Sequence, residues 1–223
     1  MGAEIPQNYF QIIIQSILSI INSFITISGI SEGIYKEKGS KFLSFALPVT
    51  TVEEVKVILD EYRKKFYDAR HVCYAYMLGA DRADFRANDD GEPSGTAGRP
   101  ILGQINSFEL TDVLVIVVRY FGGILLGTGG LITAYKEAAR DALSRAEIVE
   151  KVITQRFEIR FGYELMNEVL RVFKEFEPEI LKSELQYDCR YVVDVPKASS
   201  EQFFHKMNTI YGVKIEKEQE KSI

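Results

Sequence analysis

The chain has 223 residues, 46% of them hydrophobic, with 27 Lys and Arg against 32 Asp and Glu and a formal net charge of −5. That length holds one large or two small globular domains, and the charge excludes a surface that grips polyanions indiscriminately while leaving room for a local basic patch. Cys73 and Cys189 stand far apart and no CxxC or HxxxH spacing occurs, so neither a disulfide framework nor a structural zinc site is expected, and a reducing, cytoplasmic setting fits.

Residues 9–30 carry no charge and are dominated by isoleucine. The length would cross a bilayer, yet Gln11, Gln15, Ser16, Ser19, Asn22 and Ser23 dilute it, and no Lys or Arg precedes it as a signal peptide requires. Three readings of residues 1–30 stand side by side. They are a membrane anchor with Lys36, Lys38 and Lys41 on its cytoplasmic side, an extra helix packed on the domain, and an ill-ordered or mis-assigned extension.

Residues 33–38 and 41–48 read as a hairpin turning at Gly39-Ser40. Thr50 or Thr51 then caps a helix with Glu53 and Glu54 in its first turn and an apolar face of Val52, Val55, Ile58, Leu59 and Tyr62. Its basic end, Arg63-Lys64-Lys65, complements the helix dipole. Residues 69–78 read as a strand with His71 and Cys73 on one face and Val72, Tyr74 and Tyr76 on the other. Same-strand neighbours rarely point at each other, so a Cys–His nucleophile pair is set below a partly buried His71 bonded near the loops that follow. Residues 79–88 read as a polar loop carrying Arg82, Asp84, Phe85 and Arg86.

Two glycine-dense stretches come next, DDGEPSGTAGRPIL at 89–102 and VVRYFGGILLGTGGLITAY at 117–135. Glycine admits φ > 0 and lets a ligand approach the backbone, and a helix start offers free N–H groups to an anion. In the first loop Ser94 or Thr96 is expected to cap a helix over 97–107, with Pro100 in its first turn. Residues 112–119 form a buried strand that delivers Arg119 and Tyr120 to the second loop. A helix over 130–146 follows, with a stripe of Leu131, Ala134, Tyr135, Ala138, Ala142 and Leu143. Neither loop has Walker A or GxGxxG spacing. The loops are expected to converge on one site. There the backbone at Gly95, Thr96, Gly122, Gly123, Gly127, Gly129 and Gly130 and the side chains of Arg99 and Arg119 would meet an anion. Asp89 or Asp90, with Glu92, Ser94 and Tyr120, would stand beside it, and His71, Lys38 and Lys41 further out. The bland alternative is that the glycines only make tight turns.

The second half changes rhythm. Residues 148–161 alternate as a strand, 164–175 have helical spacing through Leu165, Val169, Leu170 and Phe173, 179–187 and 190–195 read as strands turning at Asp188, 199–211 as a helix with His205 on its surface, and 213–218 as a last strand. The order βαββαβ is that of a ferredoxin-like unit. The expected division is an extension over 1–30, a first domain over 31–147 and a second over 148–223. Neither half is basic: 12 Lys and Arg face 14 Asp and Glu after residue 149, and 15 face 18 before it. Any nucleic-acid contact must be local, through Lys36, Lys38, Lys41, Arg70, Arg82, Arg86, Arg99 and Arg119, with Phe85, Tyr120 and Phe121 available to stack on bases.

The two glycine motifs, with SEGIYKEKGSKF at 31–42 and ARHVCYAY at 69–76, resemble those of the YigZ/IMPACT family from Ser31 onward. The resemblance implies an α+β protein: an IMPACT N-terminal domain with a ribosomal-protein-type α/β fold, like the second domain of a small-subunit ribosomal protein, then a ferredoxin-like domain similar to the last domain of elongation factor G. Eukaryotic members of such a family regulate translation initiation under stress by competing for the activator of a kinase, and RNA or ribosome binding is the usual suggestion for bacterial ones. The expected function is therefore a translation-related regulator that binds RNA, the ribosome or a translation-regulatory protein, with no cofactor and no metal, and with membrane contact through 9–30 only if that segment is an anchor. The alternative is an enzyme acting on a phosphorylated or nucleotide-like small molecule, in which Arg119 and the loop amides hold the anion, Glu92 or Asp90 serves as base or metal ligand, and Ser94 touches substrate.

Overall fold

Strand β1, Ser23–Ile27, pairs with β7, Ile148–Val152, as a two-stranded sheet. The isoleucine-rich segment thus ends in a strand and not in a helix. We describe a computed structural model that covers residues 22–218, so the alternatives for 1–21 lie outside the described residues. Among the latter no helix is long and apolar enough to cross a membrane. The chain divides into two compact units, Phe24–Lys151 and a second one that takes in 152–218.

In the first unit the hairpin pairs β2, Ser31–Glu37, with β3, Ser40–Pro48. Its turn residues are Lys38 (φ 44°) and Gly39 (φ 78°), one position earlier than Gly39-Ser40. Positive φ at both central residues matches the twist of a two-residue hairpin. Helix α1, Val52–Lys65, is capped by Thr51, whose hydroxyl accepts from the Glu54 N–H, while the Glu54 carboxylate accepts from the Thr50 N–H. This reciprocal arrangement satisfies two donors at the helix entrance. Strand β4 is His71–Leu78 and β6 is Val113–Tyr120. Between them, part of the polar stretch 79–88 forms a strand and not a loop: β5, Asp84–Asn88, pairs antiparallel with β4.

The five-stranded sheet runs β2-β3-β6-β4-β5, with every pair antiparallel. β6 sits at its centre, which explains the unbroken apolar run 113–118: both faces are covered. On one face Phe45, Leu47, Tyr74, Leu114, Ile116 and Val118 pack with Val55 and Leu59 of α1. On the other, Phe42, Ala46, Cys73, Val115 and Val117 pack with helices α2, Gly98–Ser107, and α3, Gly127–Arg145. The alternation along β6 puts Arg119 on this second face. α3 begins three residues earlier than the apolar stripe suggests, so Gly127, Gly129 and Gly130 belong to its first turn.

The second unit is the ferredoxin-like βαββαβ. The run 148–161 is two strands, β7 and β8, Thr154–Gly162, and α4 is Met166–Phe176. β9 is Glu179–Glu184, β10 is Asp188–Pro196, α5 is Lys197–Asn208 and β11 is Lys214–Lys217. β9 ends before the turn, so the hairpin bends at 185–187 and not at Asp188. The sheet order is β11-β8-β10-β9. Phe157, Ile159, Phe161, Tyr191 and Val193 face Val169, Phe173, Phe203 and Met207 of the two helices. His205 is exposed on α5.

Candidate functional site

Arg119 pairs in register with Phe42 of β3 on one side and His71 of β4 on the other. The three side chains form a row at one end of the sheet, on the α2/α3 face. Arg119 is only 5% exposed. Its guanidinium lies between the rings of Phe42 and Phe121, 5.5 and 5.7 Å from their centroids. Nη1 donates to Glu92 Oε1 at 2.5 Å. The same oxygen accepts from the Tyr135 hydroxyl of α3 at 2.8 Å and lies 3.8 Å from His71 Nε2. A buried charge needs such partners, because an unpaired one is strongly disfavoured. Arg119 Nε has no hydrogen-bond partner among the described residues.

The rest of the cluster locks the first loop to β4. His71 Nδ1 lies 2.7 Å from the Asp90 carbonyl, which can only accept, so the Nδ1–H form fits. The Asp90 carboxylate accepts from the Val72 N–H at 2.7 Å and lies 3.6 Å from Arg63. The Cys73 thiol donates to the Asp89 carbonyl at 3.0 Å and lies 3.4 Å from the Tyr135 hydroxyl. Burial drives both the Cys73 thiol and the Tyr135 phenol far above their usual ranges. Cys73 is therefore held as the thiol, which is no nucleophile.

The amide cradle expected to receive an outside anion has an occupant from within the chain. Asp89 Oδ1 accepts from the N–H groups of Ala97 (3.0 Å) and Gly98 (2.8 Å), and Oδ2 from Gly95 (2.8 Å). Burial alone would raise this carboxyl, but the three amides and nearby Arg99 outweigh it and hold it below the ordinary carboxylate range. Asp89 thus serves the start of α2, where a cap from Ser94 or Thr96 was expected. The N-cap residue is Ala97 without a side-chain bond, and the Thr96 hydroxyl donates to the Pro93 carbonyl instead.

The second loop is open. Gly122 presses its backbone against the hairpin tip: a Cβ there would stand 1.9 Å from Gly39 C. Its N–H donates to Ser40 Oγ at 3.1 Å. Gly123 (φ 86°) and Gly127 (φ 70°) need the left-handed region. Phe121, Ile124 and Leu125 are exposed, Leu125 at 84%. α3 starts without a side-chain cap, and nothing lies within 4 Å of where a Cβ on Gly129 would sit.

Of the residues singled out from sequence, Glu92, Arg119 and His71 come together, and through them the two loops meet. Tyr120 turns to the opposite face, where its hydroxyl donates to Asp68. Ser94, Arg99, Lys38 and Lys41 are exposed. Asp89, weighed against Asp90 as the carboxylate beside the cradle, fills the cradle itself, and Phe42 and Tyr135, which were not singled out, complete the cluster. A buried tyrosine hydroxyl needs a partner, and that was the available signal for Tyr135, which read as helix core. Among the described residues no group of three His, Cys, Asp or Glu side chains is arranged to hold a metal.

The Impact N-terminal domain family model matches residues 38–143. The IMPACT family member YigZ of Escherichia coli (strain K12) is 33% identical over 172 residues, covering 76% of this chain and 84% of that one. The chain belongs to the IMPACT family. The Protein IMPACT homolog of Dictyostelium discoideum is 36% identical over 95 residues, 41% of this IMPACT chain and 27% of its own length. A solved structure described as the crystal structure of a hypothetical protein matches with a TM-score of 0.69 at 28% identity, covering 90% of this IMPACT chain and 99% of that one. The matched span 38–143 of this IMPACT protein contains every side chain of the Glu92–Arg119 cluster.

Proposed function

We propose that the chain is a regulator of translation that works by binding RNA, the ribosome or a translation factor through the second glycine loop and the hairpin beside it. The translation assignment rests on the family, and the binding face on one observation. The carboxylates of the first loop, Asp89, Asp90 and Glu92, are consumed internally, whereas Phe121, Ile124 and Leu125 stand exposed beside Lys38 and Lys41, which make no ion pair among the described residues. Lys36 is the cross-strand partner of Lys41 and extends the basic strip. Unpaired cations next to one exposed ring and two exposed aliphatic side chains suit a polyanion that also offers flat or apolar groups. Arg119 acts in this reading as an internal strut.

Co-sedimentation with ribosomes at low and high salt tests it. Pelleting is expected to fall with salt and to be lost in Lys38→Glu/Lys41→Glu and in Leu125→Asp, all exposed positions. Pelleting that never exceeds background at low salt removes RNA and the ribosome, and a nuclease-treated pull-down that also depends on neither variant removes the translation factor.

A second reading is the enzyme acting on a phosphorylated or nucleotide-like molecule. It draws on the convergence of His71, Glu92, Arg119 and Tyr135, with His71 the partly open member. A thermal-shift screen of nucleotides and phosphoesters, with and without magnesium, decides it: no stabilisation by any of them rejects it.

A further inference from the structure

One end of the ferredoxin-like unit carries a second surface, built from three connections. The short 3-10 turn Tyr163–Leu165 follows β8, residues 185–187 join β9 to β10, and 209–213 join α5 to β11. They converge: the Tyr163 N–H donates to the Tyr187 carbonyl, and a Cβ on Gly212 would touch Leu165 Cδ1 at 3.0 Å. Each connection holds up a tyrosine, and these are 63% (Tyr163), 88% (Tyr187) and 98% (Tyr211) exposed, with Leu185 also exposed. Tyr163, Glu164, Leu185, Gln186 and Tyr187 line an open cleft of about 460 Å³.

Three such tyrosines in one place are unusual for a free surface, because their rings give large, stiff contact area at low entropic loss and concentrate where partners dock. The charges say which partner. Glu164 and Asp188 are exposed and make no ion pair among the described residues, and the three connections contain no Lys or Arg. The neighbouring arginines of the strands, Arg160 and Arg190, are both tied to Glu158. Lys214 opens β11 on the sheet's open face, opposite Arg160. A nucleic-acid backbone would meet two free carboxylates here against the single exposed cation of Lys214, a poor balance for a polyanion. A guanidinium would meet ring faces and carboxylates together. We propose that this tyrosine-lined end docks a basic, arginine-bearing segment of a partner protein. This goes beyond the glycine-loop face and does not depend on it.

The test uses the full chain and a fluorescently labelled peptide of alternating Arg and Leu, with a Glu-for-Arg peptide and a single-stranded RNA oligonucleotide in parallel. Anisotropy is expected to show binding of the Arg peptide alone. Tyr163→Ser/Tyr187→Ser should weaken it at least about tenfold, and Glu164→Lys should weaken it too, with the thermal midpoint unmoved because these side chains are exposed. Lys38→Glu/Lys41→Glu should leave it unchanged. In the unaltered protein, amide shifts on titration should fall in the three connections. No binding up to about 1 mM, binding indifferent to the variants, shifts elsewhere, or RNA binding lost in the same variants would each overturn the proposal.

Discussion

Replacing Asp89 with Asn removes half of an internal clamp while keeping its shape. The carboxylate accepts three backbone N–H groups, two at Oδ1 and one at Oδ2. Asn can keep its oxygen toward Ala97 and Gly98, but it turns an NH₂ group at the Gly95 N–H. One charge-assisted bond, worth about 1.5–3 kcal/mol, becomes a donor-to-donor contact, and the other two weaken with the loss of charge. The expected cost is about 2–4 kcal/mol for the first unit, a fall of roughly 10 °C in its midpoint by thermal unfolding. Faster hydrogen exchange at the amides of Gly95, Ala97 and Gly98 should accompany it. The pH dependence supplies a second reading. The folded Asp89 carboxyl is lowered, so its contribution is complete above the ordinary carboxylate range and is lost as pH falls through the lowered folded value. Wild type and variant should therefore converge in acid. A variant within about 0.5 kcal/mol of wild type at neutral pH, or a gap that stays constant into acid, would refute the clamp.

Glu92→Leu alone strands a buried guanidinium and should cost about 3–5 kcal/mol, while Glu92→Leu/Arg119→Met should recover most of that, as a denaturant double-mutant cycle would show. Gly122→Ala should prise the second loop from the hairpin and destabilise the unit, since its Cβ meets backbone at 1.9 Å. Gly129→Ala should instead stabilise α3 by about 1 kcal/mol, and if a partner lies against this turn it should weaken ribosome pelleting at the same time. In the second unit, hydrogen bonds from Arg190 and then Arg160 hold the Glu158 carboxyl down at about 2. Its stabilisation is present above the ordinary carboxylate range and fades as pH drops towards about 2. Glu158→Gln should accordingly remove part of the acid dependence of that unit's unfolding, read by circular dichroism across pH.

The ferredoxin-like order could be read from residue spacing, because its strands and helices each bury one face and carry its period, whereas the α+β class of the whole chain rested on the family resemblance. β5 could not: it pairs on one side only, and Asp84 and Arg86 are exposed, so its composition is that of a loop. The break between β7 and β8 at Ile153 left no mark, since no Gly, Pro, Asn, Asp or Ser interrupts residues 148–161. The first turn of α3 is hidden by its glycines, which propensity assigns to a loop. In the site, the alternation Val113, Val115, Val117 already placed Arg119 on a covered face, yet its position at a strand end suggested exposure. Which of three clustered carboxylates folds back on the amides is a question of φ at Asp90 and Gly91, both positive, and no pattern of polarity encodes it.

Gly39 and Gly122 touch backbone to backbone although 83 positions along the chain separate them. The Ser40 hydroxyl accepts from the Gly122 N–H at the same seam, so the hairpin tip and the second loop are joined by contact and by a hydrogen bond. A side chain added at either glycine would therefore disturb the basic hairpin tip and the apolar loop together.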